Sequence, residues 1–82
     1  MRKSAVQIRF EIIEFLFFDT KPQLRTNVWR KSTSLSYDDF LKHLAYLEGK
    51  NLVKETEEGY CILTEEGRRL YSELRKSLPS IL

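Results

Sequence analysis

The segment from Ser4 to Phe18 constrains the fold more than any other part of the chain. Its apolar side chains fall on two neighbouring helical rows, Ala5/Ile8/Ile12/Phe15 and Val6/Phe10/Ile13/Phe17, leaving only Gln7, Glu11 and Glu14 as a polar strip. A helix over 4–18 that is apolar around most of its girth needs cover on two sides. Either a second copy of the chain packs on the second row, or the helix is central and wrapped by its own domain. The chain has 82 residues, room for one core, and cores this small often gain stability by pairing. The expectation is a homodimer joined through the first and last helices, with Val6, Phe10, Ile13, Phe17, Leu74 and Leu78 at the interface.

The punctuation that follows divides the rest into short elements. Asp19-Thr20-Lys21-Pro22 ends the first helix, because the residue before a proline disfavours helix and the proline lacks an amide donor. Thr26 opens a helix over 26–31, in which Val28 and Trp29 are the core side chains. Ser32-Thr33-Ser34 is a turn whose hydroxyls bond their own backbone. A third helix over 37–50 starts with Ser36 as N-cap, Asp39 completing a capping box, and Leu35 and Phe40 at staple spacing. Phe40, Leu41, Leu44 and Leu47 form its buried stripe, and Asn51 ends it by adopting the left-handed conformation.

Two β-prone runs, Leu52–Thr56 and Tyr60–Leu63, flank Glu57-Glu58-Gly59 and predict a hairpin over 52–63. Thr64 caps a last helix over 65–78, with Leu70, Leu74, Leu78 and Ile81 as its stripe and Pro79 fraying its end. Gly67 in its first turn costs about 1 kcal/mol relative to Ala, a cost that close packing against the hairpin accounts for. With no repeat, low-complexity tract or linker, residues 1–82 read as a single domain.

Charge and cysteine usage narrow the function classes. Fourteen basic and twelve acidic residues give a net charge of +2, too small alone to imply a nucleic-acid or membrane partner. The distribution is uneven: residues 1–35 carry +4, residues 36–63 carry −3 and residues 64–82 carry +1. One cysteine and one histidine can form neither an internal disulfide nor a four-ligand zinc site, which fits a reducing cytosol. Met1-Arg2-Lys3 precedes apolar residues, but Arg9, Glu11 and Glu14 interrupt a signal-peptide reading, and no stretch reaches the ~20 apolar residues of a membrane span. A cytoplasmic location is expected. His43 has no ligand or nucleophile at a useful spacing, and Cys61 alternates along a strand as a small buried hydrophobe. No enzyme, metal, cofactor or small-molecule ligand is indicated.

Helix, short helix, turn, capped helix, hairpin, helix is the order of a winged helix-turn-helix, mainly α with a small β-hairpin. The chain resembles archaeal winged-helix DNA-binding regulators, including small crenarchaeal chromatin proteins and regulators encoded by archaeal viruses. The resemblance rests on Thr26-Asn27-Val28-Trp29, Leu35-Ser36-Tyr37, Leu44-Ala45-Tyr46-Leu47, Asn51-Leu52-Val53 and Leu63-Thr64-Glu65-Glu66-Gly67, and covers residues 8–75. Family members commonly carry Gly where this chain has Asn51, and basic wings where this chain has Lys54-Glu55-Thr56-Glu57-Glu58-Gly59.

The resemblance implies a recognition helix in the major groove and a wing beside it. The residues suited to phosphate are then Arg25, Thr26, Asn27, Arg30, Lys31 and Ser34; those facing the groove are Ser36, Tyr37, Lys42, His43 and Tyr46. Carboxylates repel phosphate, so the wing reaches DNA only through Lys54 or the Gly59 backbone. The expected function is a homodimeric, sequence-specific transcriptional regulator on double-stranded DNA, nucleoid-associated in a cell or in the host cytoplasm if viral. Two alternatives stand beside it: a winged-helix protein-interaction module, and a protein that coats DNA irrespective of sequence.

Overall fold

A computed structural model describes residues 4–19 and 21–81, with side chains described through Lys76. Met1-Arg2-Lys3, Thr20 and the Leu78 side chain lie outside the described residues. The order is α1 (Ala5–Phe18), β1 (Gln23–Leu24), α2 (Arg25–Ser32), α3 (Tyr37–Gly49), β2 (Val53–Glu55), β3 (Tyr60–Leu63) and α4 (Glu65–Ile81).

α1 is the central element. Ser4 caps it by accepting from the Gln7 amide, and Ile8, Ile12, Ile13 and Leu16 are buried against α2, α3, α4 and β3. The second apolar row therefore finds much of its cover within the chain. Ile13 is 3 % exposed, and Phe10 and Phe17 pack on the Tyr71 ring of α4 at centroid distances of 5.5 and 4.5 Å. This corrects the expectation that Ile13 is free for a second copy: it is already buried within the chain. Val6, 74 % exposed, keeps its surface.

Tyr71 is the anchor of α4. It is buried, its hydroxyl donates to Glu14 Oε2 at 2.9 Å, and burial together with that carboxylate raises its pKa. The leucine spacing gave no hint of this. Leu70 is only partly buried and Leu74 is exposed, so the stripe at 70 and 74 marks the rim of the helix and Tyr71 its inward side. Nor does Pro79 end α4, which runs to Ile81.

The sheet has one strand more than the hairpin predicts. β1 pairs antiparallel with β3, Gln23 opposite Cys61 and Leu24 opposite Tyr60, giving the order β1-β3-β2. Pro22 holds the chain out of helix ahead of β1, and two residues are too few to leave an alternating pattern. β2 and β3 pair as expected, with Val53 opposite Leu63. Gly59 closes their turn at φ 90°. Cys61 is buried between the strands' neighbours, and burial, helped by Glu55, pushes its thiol up to about 11, so it is protonated and inert at neutral pH.

Two junctions orient α3. At its start Ser36 accepts from the Asp39 amide at 3.3 Å, and the Trp29 indole donates to the Leu35 carbonyl at 2.6 Å. At its end Asn51 stands at φ 60°, with the Asn51 amide on the Glu48 carbonyl and the Leu52 amide on the Leu47 carbonyl, both at 3.0 Å. That pair of bonds is a Schellman motif, which accounts for Asn in a place where glycine is usual. Thr64 then closes the junction between α3, β2 and α4. Its hydroxyl donates to the Asn51 carbonyl at 2.7 Å and accepts from the Gly67 amide at 3.0 Å.

Candidate nucleic-acid interface

Phe40, Leu44 and Leu47 turn one side of α3 into the core. Helical geometry then places Asp38, Lys42, Ala45 and Gly49 along the opposite side. All four are exposed, the Lys42 side chain at 81 %, and a Cβ built on Gly49 meets nothing within 4 Å. The crest of this ridge is small toward the end of α3, since Ala45 and Gly49 hold it low in the turns after Lys42. A bare ridge of this kind lets a helix backbone approach a groove closely, and an exposed Ala methyl can pack on a thymine methyl. Ala45 and Gly49 were not singled out from the sequence; counting off the buried stripe by 180° would have found them.

The residues expected in the groove separate into two sets. Ser36 and Lys42 stay exposed, with Lys42 Nζ 4.0 Å from Asp39. Tyr37, His43 and Tyr46 are engaged by the fold. Tyr37 sits edge-on to Trp29 at 5.1 Å and stacks on Phe40 at 6.1 Å, bracing the turn between α2 and α3. His43 Nδ1 accepts from Arg9 Nε at 3.3 Å, and the Arg9 guanidinium lies 3.6 Å from the Tyr46 ring centroid. Tyr46, 43 % exposed, still offers an edge to a partner.

Burial, and then the Arg9 charge, lower the His43 pKa, with Asp39 opposing them. The folded chain therefore takes up this proton less readily than the unfolded chain does at its ordinary 6.5. The sign follows from linkage: His43 contributes its stability above about 6.5, and the contribution is lost as pH falls from there toward the folded value. Urea unfolding of the wild type and of His43→Gln is expected to show stabilities that converge between pH ~7.5 and ~5.5; a constant difference contradicts the assignment.

Around α2 the expected phosphate residues fare unequally. The helix begins at Arg25, one residue before Thr26, and Leu24 at its N-cap supplies no side-chain bond to the first-turn amides. Thr26, Arg30 and Ser34 are exposed. Arg25 is committed in part to the hairpin, its Nε 3.0 Å from Glu55 Oε2. Asn27 donates to Gln23, which donates to Asp19 at 2.7 Å, so this amide ties α2 to the end of α1. Lys31 lines a cleft with Glu11, Glu14 and Asp19 on the α1 side. Arg30 and Lys31 also occupy the last turn of α2, where positive charge is favoured by the helix dipole.

In the hairpin, Lys54 is exposed beside Glu55, Glu57 and Glu58, and Gly59 is half-buried at the turn. Among the described residues no group of three or more His, Cys, Asp or Glu side chains is placed to hold a metal ion. None of the described helices is long and apolar enough to cross a membrane.

A central helix, a helix-turn-helix that leaves one face of its second helix bare, and an antiparallel hairpin beside it match one family model, winged helix-turn-helix, over residues 2–79. The chain belongs to the winged helix-turn-helix family. No curated protein sequence matches it. Within the winged-helix frame α3 takes the position of the recognition helix and β2–β3 that of the wing. The family is a DNA-binding one, and its domains are typically not enzymes. Arg9, absent from the sequence-based site, emerges as the residue that joins α1 to the flank of α3.

Proposed function

We propose that this winged-helix protein is a sequence-specific, double-stranded DNA-binding transcriptional regulator that works without chemistry on the DNA. The observation that carries the reading is the uncovered ridge of α3, Asp38, Lys42, Ala45 and Gly49, held at both ends by a cap and a Schellman motif. Ser36, Lys42 and Tyr46 supply the side chains beside it that can reach base edges, with Tyr37 and His43 serving to set their positions. Thr26, Arg30 and Ser34, with part of Arg25, contact phosphates. Asn27 and Lys31 are the weaker members, Asn27 because it is bonded to Gln23 of β1 and Lys31 because it lines the cleft that holds Glu11, Glu14 and Asp19. The wing contributes Lys54 and the Gly59 backbone.

The regulator acts as a homodimer through α1 and α4, with Val6, Leu74 and Leu78 at the contact and Phe10 and Phe17 behind them. Two-fold symmetry then sets a pseudo-palindromic site, with half-sites about 34 Å apart. It works in the cytoplasm, associated with the nucleoid.

Arg30→Ala with Lys31→Ala tests the phosphate assignment. Fluorescence anisotropy is expected to show weaker binding to all duplexes alike and a salt slope shallower by about 1 to 2, because one or two phosphate contacts are removed. Loss confined to one sequence would contradict it. A second reading, a protein-interaction module, is favoured by the acidic wing of Glu55, Glu57 and Glu58. It expects the double variant to bind its protein partner unchanged.

A further inference from the structure

Between the start of α1, the end of α3 and the first turns of α4 lies an open groove of about 750 Å³. Its walls are Phe10, Ile13, Leu47, Leu52, Leu70 and Leu74, and among the described residues no carboxylate lines it. This volume falls within the range of small-molecule sites, which are largely apolar with a few polar groups that fix orientation. Ser4 and Gln7 are neutral, and the charged groups here are of one sign. Arg9 and Lys50 stand at the groove, both drawn to the Tyr46 ring, at 3.6 and 5.6 Å from its centroid. Arg9 spends one donor on neutral His43, and neither cation pairs with a carboxylate among the described residues. The cleft on the other side of α1 is of mixed sign, with Glu11, Glu14 and Asp19 facing Lys21 and Lys31.

We propose that this groove is a binding site for an amphipathic carboxylate, its apolar chain on Phe10, Leu47, Leu70 and Leu74 and its anionic head between Arg9 and Lys50. Charge complementarity selects this occupant over a second copy of the chain. A two-fold contact centred on the groove would set Arg9 and Lys50 against their own copies or against apolar surface, whereas a carboxylate satisfies both. Val6 and Leu74, which also serve the proposed dimer contact, line the rim of this groove, so the carboxylate and a second copy compete for that rim. One wall of the site is the recognition helix itself, through Tyr46, Leu47 and Lys50. An occupied site therefore competes with Tyr46 and His43 for Arg9, the link that holds α3 to α1.

The probe is decanoate, below its micellar concentration, with decan-1-ol as its neutral counterpart, titrated into the full chain and followed by backbone amide shifts. Saturable binding with one decanoate per chain is expected, with the largest shifts at residues 6–13, 46–52 and 70–74. Arg9→Gln and Lys50→Gln are each expected to weaken decanoate about tenfold and to leave decanol within about twofold, as the loss of one charge-assisted contact implies. The Lys50 side chain makes no hydrogen bond or ion pair among the described residues, and the bond that caps α3 comes from its backbone amide, which Gln keeps, so its variant guards against misfolding of the Arg9 one. Non-saturable uptake, or equal weakening of both probes, overturns the proposal. So does light scattering that shows a dimer which decanoate neither binds nor dissociates, because the second copy then fills the groove. The titration is read without DNA, so its failure is distinguishable from failure of the DNA-binding reading.

Discussion

Replacing Ala45 with Glu is expected to weaken duplex binding on the order of a hundredfold while leaving the melting temperature within a few degrees. Ala45 is exposed on the crest of α3, between Lys42 one turn before it and Gly49 one turn after it. Glu is nearly as good a helix former as Ala, and a surface substitution away from packed features changes stability by about 0.5 kcal/mol or less. In a groove, however, the same carboxylate stands the helix off the base edges and faces phosphates that repel it. A base-edge contact is worth about 1 to 3 kcal/mol, and the added repulsion brings the total near the 2.7 kcal/mol of two decades. Anisotropy with any duplex that binds the wild type measures the loss, and thermal unfolding checks the fold. Unaltered binding by a folded Ala45→Glu would mean that α3 does not enter the groove.

Gly67→Ala is expected to act on the fold alone, and in the direction opposite to helix propensity. In an exposed helix the change would stabilise by about 1 kcal/mol. Here a Cβ would collide with the Leu52 carbonyl oxygen and meet Leu63 Cδ1 at 2.8 Å. The carbonyl is backbone held at the Thr64 junction, where it accepts the Thr64 amide at 3.0 Å, so it has no rotamer by which to yield. Overpacking of this kind costs about 1 to 3 kcal/mol or more and outweighs the propensity gain. A net loss of about 2 kcal/mol lowers the melting temperature of a domain this size by roughly 10 °C. Urea unfolding gives the free energy directly; a neutral or stabilised Gly67→Ala would show that α4 does not close on the hairpin as described.

Much of the architecture was legible because its signals are local. The Ser36 cap and the left-handed Asn51 are set by residues within a few positions, so α3 could be bounded from sequence and the structure agrees to within one residue. Gly67 was also readable, as a helix-breaking residue that only a close approach explains. What escaped the sequence depends on distant partners. β1 exists because Gln23 and Leu24 find β3 almost forty residues on. Tyr71 is the anchor of α4 because Phe10, Phe17 and Glu14 of α1 surround it, and a leucine pattern points elsewhere.

The interface was legible in part for the same reason. Lys42 could be placed on the outer side of α3 by periodicity alone. Whether an aromatic or histidine on its flank is free depends on the neighbouring helix, and it was Arg9 of α1 that claimed His43 and Tyr46. Arg25 and Asn27 were similarly taken by Glu55 and Gln23. Apolar rows are ambiguous in the same way, since the second row of α1 reads alike whether α4 or a second copy covers it.

The most direct measurement is selection from a random-sequence duplex pool across roughly 50 to 200 mM salt, with the retained duplexes sequenced. The account predicts a steep fall of affinity with salt, as about 6 to 10 phosphate contacts per dimer give, together with an enriched palindrome whose half-sites lie one helical turn apart. No binding at the lowest salt would contradict it.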